Sequence, residues 1–366
     1  MKVGVLTFHA SHNYGSMLQA YALQHVLGDM GVENEIINLR TSVQRGLIPP
    51  AITMSHPRSS LRQLIKLPVK TIKAQKKYNR FERFLSQDLK LTAELDSYDD
   101  VEKYIGTHKY DALIVGSDQI WNTGCYDFDK SYVLSFENND FKRIAYAPSL
   151  GSFPEKTPKE KIDWIIGDIK RFDFLSTREQ RGADFISPLI DRHVEVVLDP
   201  TLLLDQNSYK KLYRGKPIVE GKYLFYYTPR EEPGTFDKVR EIADKLRLKI
   251  VVTQQHPDYV GENIIYKTTC GPREFLNIIA NAAFTAGKSF HLMVFSILFH
   301  KEFLMVSRDH DSRFTNVLDK LGLSGRIVNP DDRNVVIPSA ADFGAIDEKM
   351  IELRKSSLDY LRNALN

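Results

Sequence analysis

Cysteine is almost absent from this chain. Its 366 residues hold two, Cys125 and Cys270, far apart and without the spacing of metal ligands. That excludes a disulfide framework and fits a reducing compartment. Long apolar runs are missing as well: none approaches the roughly 18 residues of a membrane span. The opening Met1-Lys2-Val3-Gly4-Val5-Leu6-Thr7 has neither an apolar signal core nor a cleavage site. Net charge is low, +3, so the chain as a whole does not read as a nucleic-acid binder. Repeats and low-complexity tracts are absent too. What remains is a soluble, cytoplasmic globular protein, long enough that two domains are the natural expectation.

An alternation of strands and helices fills this chain. Residues 3–8 form an apolar, β-branched run, as in a strand buried on both faces. His9-Ala10-Ser11-His12-Asn13-Tyr14-Gly15-Ser16 is a polar turn with one glycine, where a dinucleotide fingerprint needs three. Leu23, Val26, Leu27 and Met30 then keep helical spacing until Gly31, and residues 35–39 return as strand. Further strands are expected at 111–115, 143–147, 174–177 and 194–198, with a helix at 159–170. A second set follows Asp205, with strands at 223–227, 249–253, 284–286, 302–306 and 326–328. Its helices are expected at 236–246, 272–283 and 314–321, and a long one at 341–365. The expectation is α/β: two Rossmann-like, doubly wound domains facing a cleft, a GT-B-like arrangement, with the last helix packing back on the first domain. The boundaries read as 1–204, 205–340 and 341–366.

In such sheets ligands bind at the carboxyl ends of the strands, and the polar residues gather there. Gly116-Ser117-Asp118-Gln119-Ile120-Trp121-Asn122 follows one strand, Arg178-Glu179 another, and Asp199-Pro200-Thr201 a third. Phe284-Thr285-Ala286-Gly287-Lys288-Ser289-Phe290-His291 reads as strand, turn and helix start. Ser289 is the expected N-cap, and His291 falls in the first turn, where free N–H groups and the helix dipole favour anions. Lys288 adds a positive charge. The dipole disfavours a second charge on His291, and neutral imidazole beside an anion suits acid/base work. Residues 58–83 form a basic, amphipathic stretch interrupted by Pro68. It reads either as a solvated helix or as a surface for a polyanionic acceptor or anionic lipid headgroups.

Together these segments resemble the polysaccharide pyruvyl transferase family. The likeness runs from the first strand to about Val328. It is carried by Thr7-Phe8-His9, Asn13-Tyr14-Gly15, Leu18-Gln19-Ala20-Tyr21-Ala22-Leu23, Gly116 to Asn122, Ser176-Thr177-Arg178-Glu179, Leu198-Asp199-Pro200-Thr201, Gly271-Pro272 with Glu274-Phe275, and Ser289-Phe290-His291. No one segment is specific; their order and spacing are. The resemblance implies transfer of a pyruvyl group from phosphoenolpyruvate, as co-substrate and with no metal or other cofactor, to two hydroxyls of a sugar. The acceptor would be a polysaccharide or its precursor, and a lipid-linked one would bring the protein to the inner membrane face. His291 and Asp118 are then the catalytic candidates. Arg178, Lys288 and Ser289 would hold the donor, since an arginine fork matches carboxylate and phosphate. Asn13, Tyr14, Gly15, Gln19 and Ser117 would meet the acceptor, with Tyr14 or Trp121 as stacking platform. Three positions differ from the family pattern or vary within it: it has Asp or Ser at Lys288, often Arg or Ser at Ser289, and Gly at Leu292. A nucleotide-sugar enzyme on the same scaffold and a non-catalytic glycan-binding relative are the alternative readings.

Overall fold

A computed structural model describes residues 1–47, 49–50, 69–137, 140–151, 153, 157–308 and 311–366. The first part of the basic stretch, with Arg58, Arg62, Lys66 and Pro68, lies outside the described residues.

Among the described residues, twelve strands form two six-stranded parallel sheets. The first contains β1 (Lys2–Leu6), β2 (Glu33–Ile36), β3 (Ala112–Val115), β4 (Lys142–Ala145), β5 (Phe174–Thr177) and β6 (Glu195–Val196), in the order β2-β1-β3-β4-β5-β6. The second contains β7 (Tyr223–Tyr226), β8 (Lys249–Val252), β9 (Ile264–Tyr266), β10 (Phe284–Gly287), β11 (Glu302–Val306) and β12 (Ile327–Val328), in the order β12-β11-β10-β7-β8-β9. Central strands are buried on both faces, which is why they read as unbroken apolar runs: β3 is Ala-Leu-Ile-Val and β7 Tyr-Leu-Phe-Tyr. The strand order reverses between β1 and β3 in the first sheet and between β7 and β10 in the second, and such switch points open crevices at the carboxyl ends.

Most expected elements are present with ends shifted by a residue or two. β6 is cut short because its continuation is used elsewhere: Leu198 N–H donates to the Ser357 hydroxyl at 3.0 Å rather than to a neighbouring strand. The helices Tyr98–Thr107, Gln180–Ile190 and Gln206–Tyr213 were not anticipated. The final helix, Phe343–Leu365, packs back on the first half as expected. Its Tyr360 hydroxyl donates to Ala145 O at 2.8 Å, and Arg354 Nε donates to Leu202 O at 2.6 Å. One apolar cluster runs through both halves, from Val3 and Met17 through Leu202 to Phe275, Phe295 and Leu361.

Candidate functional site

Two glycines bring strand ends close to their neighbours. Gly116 follows β3 with φ +125°, and a Cβ there would lie 1.9 Å from Tyr146 O. Gly287 ends β10 with φ +151°, and its Cβ would lie 2.0 Å from Tyr227 O. Only glycine fits either place. Each turn then aims a polar group into the seam between the halves: Ser117-Asp118 from the first, and Lys288-Ser289 with the helix Phe290–Leu298 from the second.

Ser289 caps that helix, its hydroxyl accepting from Leu292 N–H at 3.3 Å. Asn13 caps the facing helix, Tyr14–Asp29, with Oδ1 accepting from Gly15 N–H at 2.9 Å. The two helix starts meet at His291. A Cβ on Gly15 would fall 2.0 Å from His291 Nδ1, so the absence of a side chain there makes room for the imidazole. His291 is 8% exposed, and its Nε2 has no hydrogen-bond partner among the described residues. Its nearest acid is Asp199, whose Oδ1 stands 3.7 Å away, beyond hydrogen-bond reach.

Asp199, at a strand end and in a family segment but not among the expected site residues, is the hub of the site. It is buried; its Oδ2 accepts from Arg178 Nη1 at 3.0 Å, with the Ser117 hydroxyl also 3.0 Å away. Its Oδ1 accepts from Thr201 N–H at 3.0 Å and from the Thr201 hydroxyl at 2.6 Å. Burial alone would push the Asp199 carboxyl up. The His291 imidazole, the Arg178 guanidinium and Thr201 outweigh it and hold the group well below the usual carboxylate range. Arg178 mirrors this: burial would lower it, but Glu179, Asp199 and Asp118 hold its charge more firmly than usual. The sequence signal for the hub was Asp-Pro-Thr at a strand end, where an Asp N-cap and a proline at the first helical position coincide.

The remaining candidates divide. Arg178, expected to grip the donor with both arms of its fork, is largely committed to the protein. Nε donates to Glu179 at 2.8 Å, Nη1 to Asp199, and the plane lies 4.4 Å from the Phe290 ring centroid. Its Nη2 alone has no hydrogen bond among the described residues. Lys288 Nζ is held 2.6 Å from Glu232. Leu292 belongs to the apolar cluster. Asp118 is half-buried at the seam, accepting from the Ser16 hydroxyl and from Gln119 N–H; the acid set beside His291 is Asp199, not Asp118.

Four of the six acceptor candidates, Tyr14, Trp121, Gln19 and Ser117, have side chains buried within the protein. Tyr14 cannot stack a sugar, since its ring packs against Phe275 at 4.4 Å and Phe81 at 5.2 Å, and its hydroxyl donates to Cys270 O at 3.0 Å. Trp121 is 1% exposed in the first half's core, its indole N–H donating to Tyr132 O at 2.9 Å. Gln19 is fully buried and ties strand ends together, donating to Thr7 Oγ1 at 2.8 Å and accepting from Ser117 N–H at 3.1 Å. Ser117 is itself buried, its hydroxyl 2.9 Å from Ala147 O as well as near Asp199. Asn13 and Gly15 stay at the seam, as cap and as floor for His291.

Set against known proteins, the chain matches the family model described as polysaccharide pyruvyl transferase over residues 13–310. No curated protein matches it significantly. Among solved structures it is similar to the UDP-GlcNAc 2-epimerase of Methanocaldococcus jannaschii in complex with UDP-GlcNAc and UDP, at TM-score 0.54 and 12% identity, over 98% of this chain and 93% of that one. It is also similar to the UDP-GlcNAc 2-epimerase of Neisseria meningitidis bound to UDP-GlcNAc, at TM-score 0.51 and 11% identity, over 100% and 94%. At such identity the likeness speaks for the two-sheet fold alone.

Proposed function

The chain belongs to the polysaccharide pyruvyl transferase family, and from that premise we propose that it moves a pyruvyl group from phosphoenolpyruvate to two hydroxyls of one sugar in a polysaccharide or its precursor. The observation that carries this reading is His291, a buried imidazole with an orphaned Nε2 where two helix starts converge. Burying such a nitrogen without a partner is costly, and a ligand that supplies one offsets the cost.

The reaction balances as an addition and a displacement. One sugar hydroxyl bonds to C2 of the donor while the methylene carbon gains a proton. The second hydroxyl then bonds to C2 as the phosphate oxygen leaves. The two hydroxyl protons end on the new methyl group and on inorganic phosphate. His291 is the group to move a proton between hydroxyl and methylene, a role worth about 10²–10⁴-fold. The N-terminal dipoles of the two helices and Arg178 Nη2 supply positive potential for a donor with a carboxylate and a phosphate, and Lys288 would join them by exchanging Glu232 for the donor. Asp199, kept ionised, places its charge 3.7 Å from His291 Nε2. Asp118, with Asn13, stands on the acceptor side of the seam.

The test is release of inorganic phosphate from phosphoenolpyruvate with a panel of glycan acceptors bearing vicinal or 4,6-related hydroxyl pairs. Wild-type protein should release it. His291→Ala should lower turnover by at least about a hundredfold with an unchanged circular dichroism spectrum. No release across a broad panel, together with no calorimetric signal for phosphoenolpyruvate, would sink the proposal. A thermal shift with a nucleoside diphosphate and none with phosphoenolpyruvate would move the reading to a nucleotide-sugar enzyme.

A further inference from the structure

The helix Val69–Asp88 presents a face that the fold does not use. Its buried side chains are Phe81, Phe84 and Leu85, all in the second half. The first turns stand in solvent: Val69 is 67% exposed and Ile72 47%, with Lys70, Lys73 and Lys76 exposed beside them. Val69, Ile72, Lys73 and Lys76 follow at spacings of three and four, which places them on one side of the helix. Arg83, seven residues beyond Lys76 and exposed, continues the line. No Asp or Glu occurs from Val69 to Phe81, and no acid among the described residues pairs with Lys70, Lys73, Lys76 or Arg83.

The second half of the helix is fastened beside the seam. Glu82 takes both Nη atoms of Arg40 at 3.0 Å and His12 Nε2 at 2.7 Å. Arg80 donates to Thr269 O at 2.9 Å, and Lys77 Nζ lies 5.7 Å from the Tyr14 ring centroid. The free basic face therefore projects from the start of the Tyr14–Asp29 helix, the side of the seam given above to the acceptor.

We propose that this face docks the protein on an anionic lipid bilayer, with Lys70, Lys73 and Lys76 among the headgroups and Val69 and Ile72 entering the interface. Charge complementarity argues for an anionic partner. The two exposed aliphatic side chains within the basic line argue for a bilayer over a soluble polyanion, because leaving water favours them only where an apolar boundary receives them. No helix of the described residues is long and apolar enough to cross a membrane, so the contact is a surface one. It rests on the proposed function only for its purpose, bringing the seam to a lipid-linked acceptor.

Cosedimentation with vesicles tests it. The full chain should bind phosphatidylcholine vesicles containing phosphatidylglycerol, bind pure phosphatidylcholine weakly, and release as salt rises. A lysine near an anionic surface contributes about fivefold in partitioning, so K70E/K73E/K76E, which removes three and adds repulsion, should lose at least about a hundredfold. Ile72→Ser should weaken binding severalfold with no change of charge. Phosphate release with a short, water-soluble acceptor should stay at the wild-type level in both variants, which separates docking from chemistry. Equal binding to both vesicle types overturns the proposal. So does tight binding to soluble polygalacturonate that Ile72→Ser leaves unchanged, which would make the face a glycan surface.

Discussion

At Gly15 there is no room for a side chain, since a Cβ would fall 2.0 Å from the His291 ring. Gly15→Ala is expected to destabilise the protein by about 1–3 kcal/mol through overpacking and to displace the imidazole from Asp199. Thermal unfolding should drop and turnover should fall with it; an unchanged melting temperature and rate would contradict the close approach. Asp199→Asn tests the hub. It leaves buried Arg178 with Glu179 as the one acid hydrogen-bonded to it among the described residues and should cost about 3 kcal/mol or more in denaturant unfolding. These residues also mark what was legible in the sequence. The N-cap Ser289 follows from local chemistry and is found as a cap, whereas Asn13, expected only to meet the acceptor, caps the facing helix. The packing of Gly15 on His291, the Arg178–Asp199 pair and the burial of Tyr14 and Trp121 depend on segments far apart in the chain, which no local pattern encodes.

Among the elements, β5 and β11 were expected with the bounds found, because buried parallel strands are short apolar runs between polar turns. The shortening of β6 was hidden: its hydrogen-bond partner is Ser357 on the last helix. The helix Val69–Asp88 shows a different limit. Its basic charge was legible, its anchor was not. Burial would raise the Glu82 carboxyl, but hydrogen bonds from His12 and Arg40 and their charge hold it at about 2 against an ordinary 4.5. A carboxyl depressed in the folded state contributes stability above its unfolded value and loses it as pH falls through the folded one. The Glu82 contribution is thus full above about pH 4.5 and gone near pH 2. Glu82→Gln should lower stability by about 1–2 kcal/mol at neutral pH, allowing for its contact with solvent. Denaturant titrations of variant and parent should converge as pH is lowered through that window; a difference that persists at the acid end would remove Glu82 as the anchor.

For the molecule as a whole, the question is whether the two sheets melt together. The seam is polar at His291 and Asp199, but beneath it one apolar cluster joins β1, the Tyr14–Asp29 helix, the Phe290–Leu298 helix and the last helix. The last helix contributes Ile346, Met350, Leu361 and Ala364 to that cluster and binds the first half through Arg354, Ser357 and Tyr360. An interface between independent domains is more polar and yields relative motion by default. A shared apolar core instead couples the unfolding of both halves. Calorimetry should therefore show one transition, coincident by far-ultraviolet circular dichroism and tryptophan fluorescence. Leu361 is fully buried, so Leu361→Ala should cost about 2–5 kcal/mol and shift that single transition downward without splitting it. Two resolved transitions, in the parent or in this variant, would mean that the halves fold separately and that the cluster is only a contact between them.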